Sequence, residues 1–148
     1  CGANAGANIV TNLIIGPRIS GTDDGMLMGS EILQWYSTTA LPPYVPKEPK
    51  IKADIPATVS NSPLCHLSVG KWMKAANKDL ASAERKDRCA RLTANVTAQL
   101  VAHLNGWKDG KYKTKGVIPA AGYGIQTQHN CTECHGSKVP SPPRAKKT

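Results

Sequence analysis

The apolar positions of the chain recur at helical spacing in four stretches, of which residues 2–16 are the first. Small residues fill its first half and branched apolar residues its second half. Because its apolar positions return at steps of three and four, we predict a helix with a small-residue face that can approach another helix closely. Gly16-Pro17 is expected to end it. The repeating positions are Ala3, Gly6, Val10, and Leu13 or Ile14.

A second helix is predicted to open at Thr22-Asp23-Asp24, where the acidic residues suit the positive end of the helix dipole. Its apolar side would be supplied by Met26, Leu27, Ile32, Leu33 and Trp35-Tyr36. The composition then changes from Thr38 to Ser62, where five prolines stand among lysines and short polar residues. Because proline cannot join a central sheet or a long helix, this segment is predicted to be a mostly extended surface connection.

Two further helices are predicted after this connection. Ser62-Pro63 is a helix-start pattern, and that helix runs to about Asn77. Ser82 can cap the next helix, residues 83–105, which Asn105-Gly106 would close with a left-handed cap. The inward stripe of this last helix consists of Cys89, Leu92, Val96, Leu100 and His103, and its solvated face of Arg85, Lys86, Asp87, Arg88 and Arg91.

The fold class predicted from these patterns is mainly α, since no clear alternating strand is present. Residues 1–105 are expected to form a helical, cysteine-bearing domain with the Pro-rich connection inside it. Residues 106–148 are expected to form an irregular C-terminal segment that binds a cofactor and ends in a basic tail. No apolar run is long enough to span a bilayer as a helix.

The net charge of the chain indicates which kinds of molecule it can bind. Lys and Arg exceed Asp and Glu by nine in 148 residues, which favours docking to an acidic redox partner. Nucleic acid is disfavoured, because the basic residues are scattered and match no recognisable reading motif.

The candidate chemistry is concentrated in Cys131-Thr132-Glu133-Cys134-His135. Cys-x-x-Cys-His is the attachment pattern of a c-type haem: Cys131 and Cys134 capture the vinyl groups of the porphyrin and His135 binds the iron. A thioredoxin-like dithiol would need a strand–helix context, and a zinc site a second ligand pair; neither is present. A haem would also help to fill the core of a chain that has no Phe. Since haem c is attached outside the cytoplasm, we expect a periplasmic location.

Several residues are candidates for the iron ligand opposite His135. His129 stands too close to the motif to cross to the far face of its own haem, so as a ligand it would reach the haem of a second subunit and predict a dimer. His103, on the inward stripe, could bind the iron within one chain. His66 follows Cys65 and is assigned to the same site as that cysteine. Met26 and Met28 are more simply explained by packing than as ligands.

Three cysteines lie outside the haem motif: Cys1, Cys65 and Cys89. Cys65 begins one predicted helix and Cys89 lies near the start of the next. If these helices are antiparallel, the two sulfurs lie at opposite ends unless the pair is splayed, so a direct disulfide does not follow. A three-thiolate iron or zinc site is one alternative. Buried thiols, or one disulfide with a lipidated Cys1, are the others; Cys1 could equally be an interior residue of a longer precursor.

The chain resembles a family of redox-active proteins with scattered cysteines, and within it the split-Soret cytochromes c of sulfate-reducing bacteria. The resemblance is carried by Cys1-Gly2-Ala3-Asn4-Ala5-Gly6-Ala7, Cys65-His66-Leu67-Ser68-Val69, residues 84–92 around Cys89, and Asn130-Cys131-Thr132-Glu133-Cys134-His135-Gly136. It implies a homodimer with neighbouring haems, bis-histidine ligation that includes His135, and an additional iron centre held by Cys1, Cys65 and Cys89. That centre would be an iron–sulfur cluster or a mononuclear iron. The family has a further N-terminal cysteine segment that this chain lacks.

The function expected from these features is electron transfer by a periplasmic c-type cytochrome, not catalysis. The alternatives are a haem enzyme with an open face that reduces nitrite or a peroxide, a cytochrome c′-like gas-binding protein, and a redox-responsive binding module. A cytochrome c′-like bundle is disfavoured, because Pro119 and the glycines before the motif interrupt the helix that it would need.

Overall fold

A computed structural model describes residues 2–16, 23–116, 118, 120–126 and 131–137. Within these ranges the chain is helical and contains no β-strand, which confirms the predicted class. The helices are α1 (Gly2–Ile15), α2 (Asp24–Thr38), α3 (Cys65–Ala76), α4 (Ala83–Lys108) and the single turn α5 (Thr132–His135), with a 3-10 turn at Ala120–Tyr123.

The main core lies between α1, α2 and α4. The helix predicted at α1 is confirmed and packs closely on α2, but its buried face is not the predicted one. The buried residues are Asn4, Ala7, Thr11 and Ile15, whereas Gly6 is exposed and Leu13 is 78% exposed. Thr11 can be buried because its hydroxyl donates a 2.6 Å hydrogen bond to the carbonyl of Ala7, which a count of apolar positions does not take into account. A Cβ placed on Gly29 of α2 would meet the side-chain amide of Asn8, which would then have to move. The buried members of the core are Ala7, Ile15, Met28, Ile32, Tyr36, Leu41, Leu92, Val96 and Leu100.

A second, smaller core forms beneath α3 from Ile55, Val69, Trp72 and Met73. The indole nitrogen of Trp72 donates a 2.9 Å hydrogen bond to the carbonyl of Pro56, so the largest buried side chain leaves no polar atom unpaired here. Ala76 and Cys89 pack against the edge of this cluster. It therefore joins α3, α4 and the Pro-rich connection.

The Pro-rich connection is irregular, as predicted, but it is not wholly a surface segment. Leu41 and Thr58 form an isolated antiparallel bridge, and Leu41 is buried in the main core. Ser60 and Ser62 are also buried, and the Ser60 hydroxyl donates a 2.7 Å hydrogen bond to the carbonyl of Ser62 and accepts a 3.3 Å hydrogen bond from its amide. The connection thus contributes Leu41 to the main core and Ile55 to the second core.

Two helix boundaries differ from the prediction. Helix α4 continues past Asn105-Gly106 to Lys108, since Leu104 and Trp107 pack against the main core and the left-handed glycine is Gly110, at φ 67°. Helix α3 begins at Cys65 instead of directly after Ser62-Pro63. The cap at Ser82 is confirmed, because its hydroxyl accepts a 3.2 Å hydrogen bond from the amide of Arg85.

The predicted solvated face of α4 is wrong at two positions. Arg88 is 1% exposed and Arg91 is 6% exposed. Arg91 pairs with Asp87 one turn earlier at 2.8 Å and donates to the carbonyl of Ile51. Arg88 instead reaches Ser68 on α3. Helical periodicity could not anticipate this, because arginine is normally a surface residue and nothing local marks it for burial.

None of the helices in the described ranges combines the length and apolarity needed to cross a membrane.

Candidate cofactor site

The haem-attachment motif forms one helical turn. Cys131 is the N-cap residue of α5 and has helical backbone angles, and its carbonyl accepts from the amides of Cys134 at 3.3 Å and His135 at 3.0 Å. Residues three and four apart share one face of a helix. The side chains of Cys131, Cys134 and His135, predicted to attach a haem and to bind its iron, therefore lie on one side of the turn, as attachment of a single porphyrin would require.

The turn is accessible and ends at once. Cys131 is exposed and Cys134 and His135 are partly exposed, so a porphyrin can reach all three side chains. Gly136 follows with φ 64°, a left-handed value that side chains other than glycine rarely adopt. The chain can therefore leave the helical turn directly behind His135.

The motif lies along α3. Lys74, in the last turn of α3, donates a 3.2 Å hydrogen bond to the carbonyl of Glu133, and the imidazole of His66, in the first turn, lies beside that of His135. The two rings are parallel within 4°, with their centroids 5.9 Å apart. The first turn of α3 therefore places a second imidazole beside the histidine that is predicted to bind iron.

The ring pair brings a second imidazole close to the attachment motif. The two rings are parallel and stacked, and both are at least partly exposed. Cys131, Cys134 and His135 would hold a covalent haem c, and His66 would be the nearest candidate for a second histidine ligand, since haem iron accepts imidazole nitrogens.

The structure places His103 elsewhere. Its ring packs edge-on against Tyr112, with centroids 5.8 Å apart, and its Nε2 lies 3.0 Å from Gln99 Nε2. Burial lowers the pKa of His103, with Glu31 raising it and Lys115 lowering it further. The described contacts of His103 thus belong to the far end of α4 and do not bring it to the haem motif. His129, the other predicted ligand, lies outside the described residues.

The methionines behave as packing residues where they are buried. Met28 is fully buried in the main core and Met26 is 45% exposed on the other side of α2. The packing interpretation is therefore confirmed for Met28, whereas Met26 is largely outside the core.

Two of the three remaining cysteines lie within the described residues. Cys65 is exposed at the start of α3, Cys89 is partly buried in the second turn of α4, and both carry free thiols. Cys89 packs against the edge of the second core. Burial raises the pKa of the Tyr36 hydroxyl, and smaller effects from the two thiols raise it while Arg88 lowers it.

The third cysteine, Cys1, lies outside the described residues. The first turn of α1 nevertheless approaches the start of α3, because the Asn4 amide donates a 3.5 Å hydrogen bond to the carbonyl of Pro63. Among the described residues alone, no group of three or more Cys, His, Asp or Glu side chains is arranged to hold a metal. A metal centre at Cys65 and Cys89 thus needs a further ligand from outside the described ranges.

No protein-family model matches the chain. A curated protein, the split-Soret cytochrome c of Desulfovibrio desulfuricans (strain ATCC 27774), is 31% identical over 140 residues, which cover 93% of this chain and 47% of that protein. A solved structure of split-Soret cytochrome c from the same organism superposes with a TM-score of 0.69 at 30% identity, covering 99% of this chain and 58% of the other. That structure was reported for a novel iron centre.

The chain is a homologue of split-Soret cytochrome c. The predicted resemblance is thereby confirmed, and it extends over almost the whole chain, including the helical part where the sequence analysis found only scattered motifs. The chain spans about half the length of split-Soret cytochrome c. The mainly helical fold agrees with that of the solved split-Soret structure.

Sequence reasoning identified Cys131, Cys134 and His135 but not the imidazole that lies beside them. His66 was grouped with Cys65 because the two are neighbours in the chain. A signal was nevertheless present: Cys65 and His66 stand at the start of a helix, where consecutive side chains diverge by about 100° and can serve two sites. The docking of the motif on α3 places His66 beside His135, and no local sequence pattern indicates this contact.

Proposed function

We propose that this chain is a periplasmic electron-transfer cytochrome in which a covalent haem c is held by Cys131 and Cys134, with His135 and His66 as axial ligands. The observation that carries the proposal is the parallel pair of imidazoles 5.9 Å apart beside the two cysteines. The homology to a cytochrome c supports a haem-based role.

The haem would supply a one-electron couple between ferric and ferrous iron. The chain's own residues determine what that couple can do. The α5 turn orients His135 on the same side as both cysteines, and α3 holds His66 parallel to it. Two imidazoles would fill both axial positions and leave none for a substrate. This favours electron transfer over nitrite or peroxide reduction and over gas binding.

We also propose that Cys65 and Cys89 ligate a second iron centre, with Cys1 as the third thiolate. Thiolate ligands favour iron–sulfur or mononuclear iron sites. The homologue's solved structure, reported for a novel iron centre, supports this reading. Cys65 and His66 are consecutive, so a centre on Cys65 would lie one residue from an axial ligand of the haem. Short covalent spacing of this kind suits electron exchange between the two sites.

A homodimer is proposed on the resemblance and on the surface of α1. This helix has no charged residue, and it leaves Ile9 60% and Leu13 78% exposed on one face. An apolar, uncharged helix face is characteristic of interfaces between subunits. Replacement of Leu13 by Lys is expected to shift the protein to a monomer in sedimentation-velocity experiments; an unchanged assembly would place the interface elsewhere.

The haem assignment is tested by mass and by spectrum. The denatured chain should carry the added mass of one covalently bound haem. Its visible spectrum should be low-spin in both oxidation states and unchanged by carbon monoxide or cyanide. A high-spin component that binds these ligands rapidly would contradict the electron-transfer proposal and favour an open-faced haem enzyme.

The second centre is tested separately by counting iron and acid-labile sulfide against haem. More than one iron per haem is expected, and the excess should fall when Cys65 and Cys89 are both replaced by Ser. One iron per haem in the wild-type protein would remove the second centre and leave the haem assignment intact.

A further inference from the structure

The turn α5 is held against one face of α3 by contacts near both ends of that helix. In the first turn of α3, the imidazole of His66 stacks beside that of His135, with ring centroids 5.9 Å apart. In the last turn, the ammonium of Lys74 donates a 3.2 Å hydrogen bond to the carbonyl of Glu133. The haem-attachment motif is therefore placed along α3 by two separate side chains of that helix.

The two side chains that hold α5 belong to one line of residues on α3. His66, Gly70 and Lys74 follow one another in steps of four, so they share a face of the helix over about 12 Å of its axis. Gly70 is midway between the two contacts. A Cβ added at Gly70 would meet no atom of a neighbouring segment within 4 Å. The face that carries the motif is thus open at its middle, down to the helix backbone.

The packing of the described polypeptide does not explain why position 70 is glycine. Glycine inside a helix lowers stability relative to alanine. At Gly25 of α2 a neighbour accounts for it, because a Cβ there would lie 3.1 Å from the carbonyl oxygen of Gly16. Gly70 has no such neighbour, and its φ is outside the left-handed region. Glycine is also used where a ligand must approach the backbone closely, and this use fits its position beside the haem-attachment motif.

We propose that His66, Gly70 and Lys74 form a haem seat on α3, in which Gly70 leaves room for the flat macrocycle to lie against the helix and Lys74 supplies positive charge at the far end. The inference rests on the proposed haem and adds which residues of α3, besides His66, accommodate it and adjust its potential. A cation near the iron porphyrin favours the ferrous state, because reduction removes one positive charge from the iron.

The test compares two pairs of variants of the full, haem-loaded chain. Gly70→Leu fills the middle of the haem seat, and Ala75→Leu adds the same side chain at an exposed position of α3 outside it. Lys74→Gln removes the charge but keeps a donor for the carbonyl of Glu133, and Lys86→Gln removes an equal charge from the exposed surface of α4. The measurements are the visible spectrum with and without carbon monoxide, the haem midpoint potential at low ionic strength, where screening is weak, and circular dichroism.

Gly70→Leu is expected to keep its covalent haem, because Cys131 and Cys134 are unchanged, and to gain a ferrous high-spin component that binds carbon monoxide as the bond to His66 is weakened. Its helix content should be retained, since leucine favours a helix more than glycine does. Lys74→Gln should show about a threefold loss of preference for ferrous haem. That is a fall of about 28 mV, on a scale of about 59 mV per tenfold change for one electron. Neither control should change the spectrum or the potential.

A Gly70→Leu protein that stays low-spin and inert to carbon monoxide would overturn the proposal, and so would an equal effect in Ala75→Leu. An unshifted potential in Lys74→Gln also overturns it, and this result decides alone if Gly70→Leu does not fold. A wild type without covalent haem removes the proposed function and this inference together. A low-spin wild-type haem that none of the variants affects removes this inference alone.

Discussion

The two buried arginines of α4 are satisfied in different ways although they are three residues apart, about 4.5 Å along the helix axis. Arg91 is neutralised by Asp87 and also donates to a backbone carbonyl. Arg88 donates to the hydroxyl and carbonyl of Ser68. The charge of Arg91 therefore meets a carboxylate, whereas the described partners of Arg88 are neutral.

Replacement of Asp87 by Ala is expected to destabilise the fold by about 3–5 kcal/mol, because it leaves the buried guanidinium of Arg91 without its counter-ion. Urea unfolding followed by circular dichroism measures the loss. Asp109→Ala is the control, since its 3.9 Å pair with Lys111 is largely exposed. A loss at Asp87 no larger than at Asp109 would show that the buried pair does not stabilise the fold.

The second residue-scale prediction concerns pH and His103. Burial lowers the folded-state pKa of His103, with Glu31 raising it and Lys115 lowering it. The folded state thus prefers the neutral ring, and this contribution to stability is fully present above the unfolded pKa of about 6.5 and is lost as pH falls through the folded value.

Stability is therefore expected to decrease as the pH falls below about 6.5, and His103→Gln should make that decrease shallower. The measurement is the urea midpoint of both proteins across this range. An identical pH dependence in wild type and variant would show that His103 does not contribute to it.

Among the secondary-structure elements, helix α4 is the one that sequence reasoning described best. Its cap at Ser82 and its inward stripe of Leu92, Val96 and Leu100 follow from local chemistry and periodicity, and the structure has both. The end of the helix was placed too early, because the choice between Gly106 and Gly110 depends on whether Trp107 can be buried. Such a choice is decided by tertiary packing and not by the local sequence.

Removal of the α4 cap by Ser82→Ala is expected to cost about 1 kcal/mol, since the amide of Arg85 loses its acceptor at the helix start. Thr93→Ala, at an exposed position within the same helix, serves as control and should be neutral or slightly stabilising. Thermal unfolding of both variants gives the comparison. Equal effects would mean that the hydroxyl of Ser82 does not cap the helix.

At the candidate site, the residues of α5 could be predicted from the sequence, whereas the contribution of α3 could not. The spacing of Cys131, Cys134 and His135 follows from the chemistry of one porphyrin, so these three residues are predicted from the sequence alone. His66 is 69 positions from His135 in the sequence. Their contact depends on how the C-terminal segment docks on α3, for which no local pattern exists. The burial of Arg88 could not be predicted for the same reason.

At the scale of the whole molecule, the net charge of +9 governs the approach of redox partners. Electron transfer with an anionic reagent such as ferricyanide is expected to slow as salt is added, whereas transfer with a cationic cobalt complex should quicken. Stopped-flow rates at several ionic strengths measure both. Equal salt dependence for the two reagents would mean that the basic surface does not face the site of electron exchange.

Helix α3 carries residues of both proposed centres. Its first residue carries a thiol, its second an imidazole, and its fourth the hydroxyl that holds Arg88. A single short helix can thereby fix the distance between the two sites. The proposal of an electron-transfer haem depends most on the identity of its second ligand.

The assignment of His66 as the second haem ligand is tested by comparing the visible spectrum of His66→Ala with the spectra of the wild type and of His103→Ala. We expect the wild type and His103→Ala to be low-spin and inert to carbon monoxide. His66→Ala should become partly high-spin when ferrous, bind carbon monoxide, and return to a low-spin spectrum when imidazole is added. A His66→Ala protein that stays low-spin and inert would contradict the account and would favour a ligand such as His129 from a second subunit.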